Sequence, residues 1–199
     1  MARRELLTPG LKVGLLGGSF NPAHEGHLHL TRMCLQSLGL DRVWWLVSPG
    51  NPLKPEKDMA PYARRFASAE KMARDPRIVV SGIEAELGTR YTADTLAELT
   101  ARFAGTRFVW LMGADNMLQF PKWRNWQEIA ATVPIAVYPR PGYTLKARLS
   151  PAAAMLRPWT LDTSDAALLP LMEPPALVFL GGPANPASAT AIRAAGGKA

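Results

Sequence analysis

One cysteine, Cys34, occurs in 199 residues. That excludes an internal disulfide and predicts a reducing compartment such as the cytoplasm. Cys34 falls inside an apolar helical pattern, so it is expected as a small buried hydrophobe. Long apolar runs are lacking as well. None approaches the roughly 20 residues that span a bilayer. The opening MARRELLTPG carries arginines but no apolar segment after them. Neither a membrane span nor a secretory signal is therefore expected. Basic blocks are also missing. The formal charge is +7, yet Lys and Arg are scattered. This pattern points to small phosphorylated partners rather than to nucleic acid.

Three familiar signatures are absent too. Gly14, Gly17 and Gly18 fall as G-x-x-G-G, which is not the G-x-G-x-x-G of dinucleotide oxidoreductases. No G-x-x-x-x-G-K-[ST] loop occurs, since Gly196-Gly197-Lys198 runs into alanine. HEGH is one residue short of H-E-x-x-H. With three histidines and one cysteine in the chain, a tetrahedral zinc site would lack ligands, and no resident metal site is expected.

What is present is a folded composition, 48% hydrophobic, in which apolar runs alternate with helical patterns. Strands are predicted at Lys12–Leu16, Arg42–Val47, Ile78–Ser81, Arg107–Met112, Ile135–Tyr138 and Leu177–Leu180. Helices are predicted at Gly26–Leu38, Pro61–Arg74 and Thr92–Phe103. Several strands are almost continuously apolar, as in a parallel sheet covered on both faces. The alternation predicts an α/β fold, a doubly wound, Rossmann-like, mostly parallel sheet with ligands beyond the carboxyl ends of its strands. Proline-rich residues 141–176 give no clear element.

The stretch GGSFNPAHEGHLHL, residues 17–30, follows the first strand directly. Gly17 and Gly18 are expected to supply a tight turn and a close approach to a ligand. His24 and His27 then fall at a helix start, whose free N–H groups attract phosphate. Two imidazoles there can donate to phosphate oxygens as charge develops. The other reading is that one histidine caps the helix while the other packs.

GGSFNPAHEGH resembles the (H/T)xGH signature of the nucleotidyltransferases. Its form is similar to that of bacterial nicotinate-mononucleotide adenylyltransferases. Further segments resemble that family in order and spacing: WWLVSPGNPLK, RYTADTL, LMGADNMLQFPKWRNWQEI, YPRPGY and SATAIR. The resemblance spans residues 12–193 and implies one nucleotidyltransferase domain over residues 1–199. GGSFNP and RYTADTL separate the chain from pantetheine-phosphate adenylyltransferases.

The resemblance implies that ATP and nicotinate mononucleotide are joined to give nicotinate adenine dinucleotide (deamido-NAD) and pyrophosphate. Mg²⁺ is implied to accompany ATP. His24, His27 and Arg193 are the implied catalytic groups. Gly17, Gly18, Ser19, Phe20, Lys54, Gly113, Asp115, Ser188 and Thr190 are the implied ATP and phosphate contacts. Asp115 suits ribose hydroxyls, or else it N-caps a helix. Tyr91, Thr92 and Trp123 are implied to hold the mononucleotide, with Trp123 stacked on the pyridine ring. Trp44, Trp45, Trp110 and Trp126 are expected in the core. Asn21 stands where many members carry Asp, so no charge-based role is expected there. Ala189 replaces a serine of the family pattern. Six residues follow Arg193, so less cover is expected over the phosphate end.

Overall fold

The computed structural model describes residues 8–50 and 59–196. Seven strands form one sheet: β1 (Lys12–Gly18), β2 (Arg42–Val47), β3 (Ile78–Ser81), β4 (Arg107–Gly113), β5 (Ile135–Tyr138), β6 (Thr160–Leu161) and β7 (Leu177–Phe179). The strand order is β3-β2-β1-β4-β5-β7-β6. Every pairing is parallel. The helices are α1 (Glu25–Ser37), α2 (Tyr62–Met72), α3 (Ile83–Leu87), α4 (Thr92–Arg102), α5 (Ala114–Gln119), α6 (Trp126–Thr132), α7 (Thr144–Arg148), α8 (Pro151–Leu156) and α9 (Ala189–Ala194). Among the described residues no helix is long and apolar enough to cross a membrane.

The sheet has a core on each face because alternate strand residues point to opposite sides. Val13, Leu15, Trp44, Leu46, Phe108 and Trp110 pack with residues of α4, α5, α6 and α8. Leu16, Val43, Trp45, Val109 and Leu111 pack with residues of α1, α2 and the 3-10 segment Thr163–Leu171. α1 buries Leu28, Leu30, Thr31, Cys34 and Leu35 on one face. Each large side chain so buried contributes roughly 1.5–3 kcal/mol. Trp45 is fully buried, and its indole N–H is satisfied by Thr31 Oγ1 at 2.8 Å. α1 stops where Leu38 N–H closes on the Cys34 carbonyl and Gly39 turns left-handed at φ 58°. Cys34 is wholly buried, which pushes its thiol up to about 12.

Two sequence expectations change here. Gly17 and Gly18 do not make the turn; they are the last residues of β1. The left-handed residue is Phe20, at φ 46°. Glycine is needed at 17 for another reason: a Cβ there would lie 2.5 Å from the Trp110 ring. The proline-rich stretch also holds a strand, β6, too short to show a period, and two short helices, α7 and α8.

Candidate active site

Strand order reverses between β1 and β4, so the chain leaves these neighbouring strands on opposite faces and opens a crevice at their carboxyl ends. A cavity of about 560 Å³ lies there. Its walls come from the end of β1 (Gly17, Gly18), the exit of β2 (Ser48, Gly50), the start of α3 (Glu84), the start of α4 (Tyr91, Thr92), the end of β4 (Gly113) and the β5 exit (Arg140).

His24 is the N-cap of α1, and its Nδ1 accepts the Gly26 N–H at 3.1 Å. His27 Nδ1 accepts the His24 N–H at 3.2 Å. The two rings lie 3.9 Å apart, and both residues line the cavity. Each Nδ1 lone pair is therefore occupied by backbone. In the neutral ring this assigns the proton to Nε2, which makes that nitrogen the donor. Burial holds the His24 pKa down at about 4, and the Arg140 charge adds to this. His24 is thus neutral at physiological pH. His24 caps the helix as the other sequence reading expected, and the same capping bonds orient both imidazoles.

The H-x-G-H spacing has a steric cause at its third position. A Cβ on Gly26 would sit 2.8 Å from the Ala187 carbonyl oxygen and 2.9 Å from the His24 ring. The irregular tail before α9 passes directly over this point at Ala187. His29 Nε2 meets the Pro183 carbonyl at 2.9 Å, and the Tyr138 hydroxyl donates to the same oxygen. Arg140 Nη1 donates to the Asn185 and Ala187 carbonyls at 3.3 and 2.9 Å. Ser188 then caps α9 by accepting the Ala191 N–H at 3.2 Å.

The structure brings together Gly17, Gly18, Ser19, Phe20, His24, His27, Tyr91, Thr92, Gly113, Asp115, Trp123, Ser188 and Thr190 around the cavity. Arg193 is not part of this lining. Its Nη1 donates to the Asn21 carbonyl at 2.6 Å, so it braces the turn before α1. Lys54 lies outside the described residues. Asp115 does not cap a helix: Gly113 is the N-cap residue of α5, and no side chain caps it. Asp115 Oδ1 instead faces Arg140 Nε at 3.5 Å, an ion pair without a hydrogen bond. Asn21 also lines the cavity, and its Oδ1 accepts the Ala60 N–H at 3.3 Å. Trp123 is half-buried, with its ring edge-on to Trp110 at 6.1 Å and to Phe120 at 5.5 Å. Trp110 belongs both to the core and to the cavity wall, while Trp126 is only half-buried.

Three cavity-lining residues carry buried polar atoms without a hydrogen-bond partner: Ser19 Oγ, Trp110 Nε1 and Asp115 Oδ1. Unsatisfied buried groups are costly and rare away from binding sites. Sequence reasoning missed three residues. Arg140, within YPRPGY, ties the tail to the site. Glu84 lies almost wholly buried in the cavity wall, and burial raises its pKa to about 7, against the pull of a hydrogen bond from Ser48. Arg124 sits 4.6 Å above the Tyr91 ring at the cavity edge. None belongs to a motif with a readable mechanism, and only the fold gathers them. Among the described residues no three His, Cys, Asp or Glu side chains converge to hold a metal.

Residues 15–195 match the cytidylyltransferase-like family. A protein of Parvibaculum lavamentivorans, described as a probable nicotinate-nucleotide adenylyltransferase, is 75% identical over 99% of this chain and 98% of its own. The chain belongs to the nicotinate-nucleotide adenylyltransferase family. A relative from Cereibacter sphaeroides with the same description is 55% identical over 92% of this chain and 97% of its own length. The fold is also that of the Plasmodium falciparum nicotinic acid mononucleotide adenylyltransferase complexed with NaAD, at a TM-score of 0.70 and 12% identity over 92% of this chain and 83% of that one. The same Plasmodium enzyme complexed with APC gives a TM-score of 0.68, also at 12% identity and with the same coverage. In this member of the family the paired histidines, the start of α4 and the three orphaned polar atoms line one cavity.

Proposed function

We propose that this cavity joins ATP to nicotinate mononucleotide, giving deamido-NAD and pyrophosphate. The observation that carries the reading is the histidine pair, with both Nδ1 atoms accepting from backbone N–H groups and both rings lining the cavity 3.9 Å apart. A phosphate oxygen of the mononucleotide attacks the ATP α-phosphorus in line. The bond from that phosphorus to the bridging oxygen breaks, and pyrophosphate leaves with the electron pair. The attacking phosphate is already ionised, so no side-chain nucleophile is needed. Catalysis is then alignment and charge stabilisation.

His24 and His27 donate to the phosphate oxygens where charge builds. The Ser188 and Thr190 hydroxyls sit on the tail side of the same space. The Asp115 carboxylate, held by Arg140, accepts from ribose hydroxyls beside Gly113. Trp123 stacks on the pyridine ring. Tyr91 N-caps α4 without a side-chain hydrogen bond, which leaves the helix-start amides for the nicotinate carboxylate. Arg193 acts through the turn it braces. Asp115 and Glu84 are the carboxylates beside the phosphate space, and Mg²⁺ bound to ATP there would neutralise charge on its phosphates. The test is product identity. ATP with nicotinate mononucleotide is expected to yield deamido-NAD and pyrophosphate in equal amounts, and absence of the dinucleotide rejects the reading.

A further inference from the structure

Arg65 stands out among the groups with no part in the chemistry above. It lies on α2, its side chain is 1% exposed, and it does not line the cavity. Among the described residues no carboxylate pairs with it. Its guanidinium instead donates to four backbone carbonyls: Nε to Ala60 at 2.9 Å, Nη1 to Ser19 at 2.7 Å and Ser48 at 2.8 Å, and Nη2 to Pro49 at 2.9 Å. Burying an uncompensated charge is costly. A planar fork of five donors is the side chain that can serve carbonyls from three separate segments at once.

Those carbonyls belong to the turn after β1, to the exit of β2 and to the lead into α2. A trans peptide is planar, with its N–H opposite its C=O. Pulling the Ser19 and Pro49 carbonyls toward Arg65 therefore turns the next N–H groups, those of Phe20 and Gly50, the other way. Phe20 and Gly50 both line the cavity. Among the described residues neither N–H has a backbone acceptor. Ser19 adds a buried hydroxyl without a partner. The cation also polarises both peptide groups, which makes their N–H ends better donors to an anion.

We infer that Arg65 is a positioning residue for the phosphates of the nucleotide: it sets the turn after β1 and the exit of β2 so that the Phe20 and Gly50 amides face the cavity. It has help from its own helix. Ser68, one turn on, accepts the Ala23 N–H at 3.2 Å. The turn held this way carries Phe20 at φ 46°. Phe20 lies 4.7 Å from the His27 ring and 5.1 Å from Trp45. Loss of the Ser19 anchor releases the turn and, through Phe20, the histidine beside it.

The inference rests on the proposed phosphate site, but ATP binding tests it without the second substrate. Arg65→Gln removes the charge and most of the fork. ATP binding is read by calorimetry at 10 °C and expressed per folded molecule, with folding followed by circular dichroism. ATP Kd is expected to rise at least tenfold, and kcat per folded molecule to fall about 10- to 100-fold, the scale of a lost anion-facing donor. If Arg65→Gln does not fold, the same criterion applies to Arg65→Lys, which keeps charge without the fork. A role in stability alone lowers the folded fraction and leaves Kd unmoved. An ATP Kd within twofold of the parent, or failure of both variants to fold, overturns the inference. A parent protein that binds ATP but makes no dinucleotide would count against the proposed reaction and leave this test intact.

Discussion

Gly26→Ala places one methyl group where the tail, α1 and the His24 ring meet. The new Cβ would stand 2.8 Å from the Ala187 oxygen and 2.9 Å from His24 Cε1 and Nδ1. Ordinary contact needs a shift of roughly half an ångström, on the scale of van der Waals separations. Neither neighbour is loose: Ala187 O is held by Arg140 and His24 Nδ1 by the Gly26 N–H. Replacing glycine by alanine inside a helix gains up to about 1 kcal/mol. Overpacking costs about 1–3 kcal/mol, and a weakened cap costs about 1 kcal/mol more. The net is a destabilisation of roughly 1–3 kcal/mol, or a Tm lower by about 2–12 °C in a domain of this size. Activity should suffer more than stability, because a catalytic group misplaced by an ångström loses about 10²-fold in rate. We predict kcat down by about 10- to 100-fold in a folded protein, read as pyrophosphate release at 20 °C beside urea unfolding. The control is Gly181→Ala, whose Cβ would meet only Thr163 at 3.4 Å and should leave the rate unchanged. Gly26→Ala with kcat within twofold of the parent would refute the packing argument.

His27→Ala should fold and lose about 10²–10³ in kcat, the cost of one donor to developing charge, whereas His29→Ala, which removes one of two contacts on the Pro183 carbonyl, should lose far less; comparable losses in folded proteins would dissolve the distinction. Arg193→Ala should lower kcat/KM for ATP by about 10- to 100-fold, the equivalent of a charge-assisted bond of roughly 1.5–3 kcal/mol, and an unchanged value would mean that the brace on Asn21 does not reach the site. Glu84 and His24 act on stability with opposite signs. His24 is held near 4 against 6.5, so its contribution is complete above pH 6.5 and is lost as pH falls toward 4. Glu84 is held near 7 against 4.5, so its contribution is complete below pH 4.5 and is lost as pH rises through 7. The Glu84 loss is about 3 kcal/mol at most, from a shift of this size. Glu84→Gln should therefore gain stability relative to the parent between pH 5 and pH 8 in urea unfolding, and an equal difference at both pH values contradicts the burial of an ionised carboxylate.

The sheet was legible because buried parallel strands are written as apolar runs. RVWWLV and RFVWLM occupy β2 and β4 with near-agreement at both ends. β6 was not legible, because a two-residue edge strand has no period to detect. The histidine motif marks the helix start that lines the cavity, while the Gly-Gly pair ends β1 instead of forming the turn. Gly17 yields to the Trp110 ring, which arrives from a strand about 90 residues later in the chain, and no local pattern encodes that contact. Arg65 and Arg140 were invisible as site residues for the same reason. Each acts on backbone carbonyls of distant segments, and a carbonyl leaves no trace in a sequence.

The most direct test of the account is paired kinetics with ATP and either nicotinate or nicotinamide mononucleotide under one set of conditions. The uncapped start of α4 and the Arg90 and Arg124 side chains put positive charge around one end of the cavity. Two charge-assisted bonds to the carboxylate, at roughly 1.5–3 kcal/mol each, give about 3–6 kcal/mol. That predicts a kcat/KM for the acid about 10²–10⁴ times that for the amide. Equal efficiencies, or a preference for nicotinamide mononucleotide, would contradict it.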